Sequence, residues 1–217
     1  MELLHVRRAR AIWLVDVRDL NPRGLVLGPI LSAIKDRYKF QKAPTTPEEL
    51  TGNTPQGVIF GEGSFSYKNK EYGLVATLYT DGFVVDTTVS TRASDAFLED
   101  LLLFLRSEFG FAYNPKIIQK KNYVSELVVT IQEPFDQALQ AYSLLMDRLN
   151  ESTGVIYRPF GFTLSADPLL GARKPADFRL ERELGKPFEE KRYYSLAPLQ
   201  TDEHLKMLQE LEDQLEK

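Results

Sequence analysis

The sequence predicts an α+β fold, a mainly antiparallel sheet with three to four helices packed against it. Two observations carry this. Strand-like alternation comes in consecutive runs joined by short turn signals, above all between residues 58 and 89, and successive hairpins build antiparallel sheets. The predicted order, β-α-βββ-α-β-α-β-ββ-α, has no repeat and groups strands into consecutive hairpins, which a doubly wound parallel sheet does not do. A hydrophobic share of 43% over 217 residues provides for a substantial core.

The elements follow in chain order. Residues 9–19 alternate into an apolar run (Ile12, Trp13, Leu14, Val15, Val17) that reads as a first strand, with Asp16 inside it. A turn at Asn21-Pro22-Arg23-Gly24 comes next. Gly28-Pro29 opens a helix whose face carries Ile30, Ile34 and Tyr38, because proline is tolerated at the first helical position. Residues 41–56 read as loop, with one turn at Pro47-Glu48-Glu49-Leu50. A three-strand meander begins with Ile59, Phe65 and Tyr67 on one face, and Gly61 and Gly63 at the same parity. Lys68-Asn69-Lys70 makes its first turn. Tyr72, Leu74, Ala76 and Leu78 line the second strand, and Phe83, Val85, Thr87 and Val89 the third. Asp81-Gly82 between them predicts a type I′ hairpin, which needs positive φ at both central residues.

Ser94, with Asp95 beside it, stands where an N-cap is wanted for a helix that runs to about Phe109 and stops at Gly110. Tyr123, Ser125, Leu127, Val129 and Ile131 form another strand. Pro134 opens a helix with Phe135, Ala138, Leu139, Tyr142, Leu145, Met146 and Leu149 on one face. A strand near Phe160, Phe162 and Leu164 ends at Asp167-Pro168. Phe178–Leu184 and Lys191–Leu196 read as a charged, exposed hairpin around Gly185-Lys186-Pro187. A last helix starts at Thr201 and carries Leu205, Leu208, Leu211 and Leu215. The expected organisation is an α+β core domain over 1–167 and a C-terminal hairpin-plus-helix appendage over 168–217, packed on the core.

Composition removes several chemistries. There is no cysteine, hence no disulfide, thiolate zinc site, iron–sulfur cluster or cysteine nucleophile. The net charge of −4 sits in residues 201–217, where six acids face Lys206 and Lys217; the remainder is neutral. A neutral body argues against nucleic acid as the partner, although Arg7, Arg8 and Arg10, and Lys116, Lys120 and Lys121, form local basic patches. The longest apolar run, Leu101–Leu105, is far too short to span a membrane, and the N-terminal residues do not read as a signal peptide, so a cytoplasmic protein is expected. Gly61-Glu62-Gly63 lacks the third glycine and the Lys-Ser/Thr of a phosphate loop, and reads as room for close packing. His5 and His204 are the only histidines, and no Gly-x-Ser-x-Gly elbow accompanies either.

Two functional readings remain. In the first, the chain is a non-enzymatic binding or assembly subunit that acts through protein–protein contacts, with another protein or with its own copies. The stretch "KPFEEKRYYSLAPL" concentrates Phe188, Arg192, Tyr193 and Tyr194, residue types that anchor interfaces. Glu210, Glu212 and Glu216 oppose the macrodipole at the end of the last helix and would be better placed against a basic surface. In the second, a metal-dependent hydrolase or nuclease uses Asp16, Asp86 and Glu99 to hold magnesium or manganese, hard cations that take convergent carboxylate oxygens. Each of these acids also has a simpler role in a turn, strand or helix end.

Overall fold

The computed structural model describes residues 1–24, 26–45, 56–132 and 142–215, with the backbone alone at 170, 172 and 173. The expected turn at Pro47–Leu50 and the first half of the helix expected from Pro134 (Phe135, Ala138, Leu139) lie outside the described residues, as does Glu216. The fold is α+β. Strands β1 (Glu2–Leu14), β2 (Val58–Tyr67), β3 (Lys70–Tyr79), β4 (Gly82–Thr87), β5 (Lys120–Thr130), β6 (Gly161–Leu164), β7 (Phe178–Arg182) and β8 (Arg192–Ala197) form an eight-stranded sheet. Its order is β2-β3-β4-β1-β5-β8-β7-β6. Five helices occur among the described residues: α1 (Val17–Leu20), α2 (Leu27–Arg37), α3 (Thr91–Phe109), α4 (Ser143–Thr153) and α5 (Thr201–Leu215). None is long and apolar enough to cross a membrane.

The chain forms two compact units. The first comprises Arg8–Ser125 and Leu199–Thr201. Antiparallel pairing aligns Ala11, Val85, Ala76 and Phe60 in one row across β1, β4, β3 and β2, and Trp13, Phe83, Leu78 and Val58 in the next. These rows share a core with Phe97, Leu98, Leu101 and Leu102 of α3 and with Ile30 and Ile34 of α2.

Several boundaries differ from expectation for identifiable reasons. β1 stops at Leu14 because Asp16 caps α1, its side chain accepting the Arg18 N–H at 2.8 Å. The hairpin between β3 and β4 turns at Thr80-Asp81, one residue early. Gly82 instead pairs with Leu14 and Tyr79, and a Cβ there would lie 2.4 Å from the Trp13 carbonyl oxygen. The glycine serves close backbone approach, not positive φ. In β2 a bulge with Glu62 at φ 55° shifts the register between Phe60 and Gly63, so Ile59 faces solvent while Phe60 is buried. Gly63 does leave room, as expected: a Cβ would sit 2.2 Å from the Phe40 ring. Ser90, not Ser94, caps α3 by accepting from Ala93 N–H, and Gly110 ends it at φ 69°.

The second unit comprises Met1–Arg7, Glu126–Pro198 and Asp202–Lys217. Its core holds Leu127, Val129, Ile131, Leu180, Tyr193 and Leu208. The β7–β8 hairpin is therefore not an exposed one: Leu180, Arg182, Tyr193, Ser195 and Ala197 turn one face inward.

Candidate interaction surface

The three carboxylates of the metal reading each have their own partner. Asp16 accepts from Arg18 through Nη2 at 2.7 Å as well as through the backbone, and these bonds hold its carboxyl below the usual range. Asp86 stands opposite Arg10 in the β1–β4 register, and the guanidinium donates two bonds of 2.7 Å to it. Glu99 accepts the Tyr113 hydroxyl at 2.8 Å; burial, with this bond, pushes the Tyr113 phenol up. Among the described residues, no group of three histidine, aspartate or glutamate side chains could hold a metal ion. A cleft of about 490 Å³ opens beside Asp16, Arg18, Asp81 and Gln119, where the Arg18 pair already offsets the Asp16 charge. An apolar cavity of about 80 Å³ lies among Leu20, Ile30, Leu31, Phe83 and Phe111, well below the size of a small-molecule site.

Two polar clusters join residues that the sequence did not link. Asp95 accepts Trp13 Nε1–H at 2.7 Å and the Tyr123 hydroxyl at 2.9 Å, while the Lys121 ammonium sits 3.5 Å from the Trp13 ring centroid. In the second unit, buried Ser195 Oγ lies 2.8 Å from His204 Nε2 and donates to the Arg179 carbonyl at 3.0 Å. A hydroxyl has one proton, so the bond to Arg179 makes His204 the donor to Ser195. The proton thus points the wrong way for an activated serine, and the pair ties α5 to β8.

The residues expected to meet a partner divide. Tyr193 is 1% exposed and belongs to the core. Phe188 is half-buried with the Arg182 guanidinium 4.8 Å from its ring, Arg192 pairs with Glu183 at 2.6 Å, and Arg7 stacks 5.5 Å from the Tyr194 ring. Glu212 is 2% exposed: it accepts the Gln132 N–H at 2.6 Å and pairs with the Met1 ammonium. Its charge is used inside the unit. Glu210 is exposed and lies 3.7 Å from Lys206 one turn earlier.

The largest departure from an ordinary surface lies elsewhere in the second unit. Helix α4 has the apolar spacing expected of it, yet buries no residue. Leu144, Leu145 and Leu149 face solvent, Leu145 with 58% of its surface exposed. The exposed apolar series continues beyond Gly154, which ends the helix at φ 69°, through Val155, Ile156 (72%), Tyr157, Phe160 and Leu164. Scattered surface leucines are normal, but a run of this density is not. The charges interspersed within it, Asp147, Arg148, Glu151 and Arg158, balance. No protein-family model matches the chain, and a search of curated proteins finds no significant match.

Proposed function

We propose that this chain is a cytoplasmic binding or assembly subunit that works through protein–protein contacts made by the second unit. The observation that supports this reading is the run of exposed apolar side chains from α4 to β6. Between Tyr142 and Leu164 the exposed fractions amount to about five fully exposed large side chains. At roughly 150–200 Å² each, that is on the order of 800 Å², the share one partner contributes to a standard protein interface. Balanced charge in this run favours an apolar protein surface over an anionic lipid or nucleic-acid one, either of which would select a basic excess.

The test replaces Leu145 and Ile156 together with glutamate. Both side chains are largely exposed, so the unfolding free energy should stay within about 0.5 kcal/mol of the parent. Native mass spectrometry of gently purified parent and variant should then show an assembly that the variant loses. A parent that is monomeric and partnerless, or a variant that assembles equally well, refutes the reading.

A further inference from the structure

We propose that β6 pairs, across a twofold axis at Phe162, with β6 of a second copy of this chain; this rests on the protein–protein reading above and names its partner. Among the described residues β6 is the last strand of its end of the sheet. Its backbone directions can be worked out. Arg182 N–H donates to the Phe160 carbonyl at 2.7 Å, and bonded and non-bonded pairs alternate along an antiparallel ladder. Phe162 and Leu164 therefore turn their N–H and C=O groups toward Leu180 and Phe178 of β7, while Gly161 and Thr163 turn theirs outward. Gly161 agrees with this phase. A Cβ there would lie 2.4 Å from the Leu180 oxygen, as expected in the closer, non-bonded kind of pair.

Free strand edges are usually blunted by shortness, charge, proline or a bulge. Strand β6 is short, but its sequence Gly-Phe-Thr-Leu has no charge or proline and its register with β7 has no bulge. An antiparallel copy centred on Phe162 satisfies the whole edge. Gly161 faces Thr163 of the second copy and exchanges two hydrogen bonds with it; symmetry repeats the pair. The same register sets Phe160 opposite Leu164 of the second copy. These two residues are 43% and 60% exposed, and the alternation of side chains puts them on the same face as Phe162. Any strand could supply the backbone bonds. A second copy also supplies the apolar match on both sides of the axis.

The experiment is sedimentation velocity on the purified full chain over a range of concentrations, with circular dichroism to check folding. The parent should dimerise reversibly. Thr163→Pro removes the outward N–H without touching the bonds to β7, and with it two of the four bonds across the axis, so dimerisation should weaken roughly thirtyfold. Phe160→Glu and Leu164→Lys should each weaken it at least about tenfold, because each sets a charge against an apolar side chain. Combined in one chain they should recover to within about threefold of the parent, since the new carboxylate and ammonium face each other only in this register. If Thr163→Pro fails to fold, the charge pair decides. A parent that stays monomeric when purified alone, or a double variant no better than the single ones, overturns the proposal. In the first case, an assembly with a different protein in cells that is lost on the glutamate substitutions in α4 would still uphold the broader reading.

Discussion

Replacing Asp95 with alanine should be among the most damaging single changes in the first unit, although the local sequence marks that residue only as a companion of an expected N-cap. Asp95 lies one turn into α3 and accepts hydrogen bonds from Trp13 on β1 and Tyr123 on β5. Trp13 is almost fully buried, so removing the acceptor leaves an indole N–H without its partner in the core. Bonds to a charged acceptor are worth roughly 1.5–3 kcal/mol each, and the orphaned donor adds a desolvation cost, so the expected loss is about 3 kcal/mol. Tyr123→Phe removes one donor and should cost about 1 kcal/mol. Combined, the two should cost less than their sum by about 1 kcal/mol, because each abolishes the same bond. Asp95→Asn keeps an acceptor for the indole and should lie between parent and alanine variant. The chain has one tryptophan, and it is the residue concerned. Urea unfolding followed by its fluorescence therefore reads the transition of this unit directly. An alanine variant within about 0.5 kcal/mol of the parent, or strict additivity in the cycle, would refute the reasoning.

Three further outcomes are expected. Gly63→Ala drives a Cβ to 2.2 Å from the Phe40 ring and should destabilise by about 1–3 kcal/mol, with part recovered by Phe40→Leu; full stability of the single variant in thermal unfolding contradicts the packing described. Tyr38 and Tyr113 have phenols pushed up, chiefly by burial and then by their bonds to Asp100 and Glu99. Their contribution to stability is present in full below the ordinary phenol pKa of about 10 and is lost as pH rises through the raised values. Phenolate absorbance should thus show a late step coinciding with alkaline unfolding that shrinks in Tyr38→Phe and Tyr113→Phe, and a late step of unchanged size counts against it. Calorimetric titration with magnesium or manganese should give no heat and no rise in melting temperature, because Arg18, Arg10 and Tyr113 already occupy Asp16, Asp86 and Glu99; saturable binding would restore the carboxylate site.

The order of elements was legible because it depends on local period and turn chemistry. Lys68 and Asn69 both take positive φ in the predicted turn, and Gly110 stops α3 where a left-handed residue is needed. The misplacements arose where a distant group decides. Ser94 and Ser90 are equivalent as local caps, but the Ala9 carbonyl takes the Ser94 hydroxyl at 2.8 Å and buries it, leaving Ser90 to cap. The Asp81-Gly82 pair is shifted by the approach of β1 to Gly82, and the parity of β2 is reversed by a bulge that no spacing announces. Polar clusters were the least legible part. Trp13 and Asp95 are 82 positions apart, and only pairing of the strands brings Trp13 to α3. Glu212 illustrates the same limit in reverse. Its position suggested an outward acidic face, yet the Gln132 N–H draws it inward.

Among their described residues the two units differ in how much apolar surface they leave exposed, and the consequence can be measured. Among the described residues the main hydrophobic cluster of the first joins 22 buried side chains and that of the second six. Among the described residues, the second unit leaves the apolar side chains of α4 and of Phe160 and Leu164 largely exposed, and burial of such surface is the dominant favourable term in folding and association. Association would bury that surface and couple to its stability by mass action. Above the dissociation constant, each tenfold rise in protein concentration adds about 1.4 kcal/mol per dimer, or some 0.7 per chain. For a unit of this size that raises its melting temperature by roughly 3–5 °C. Hydrogen exchange can follow amides of β8 and α5 while Trp13 fluorescence follows the first unit. Protection in β8 and α5 should increase with concentration in the parent and not in the Leu145→Glu, Ile156→Glu variant. If protection is equally independent of concentration in both, the exposed apolar run contributes nothing to assembly in solution.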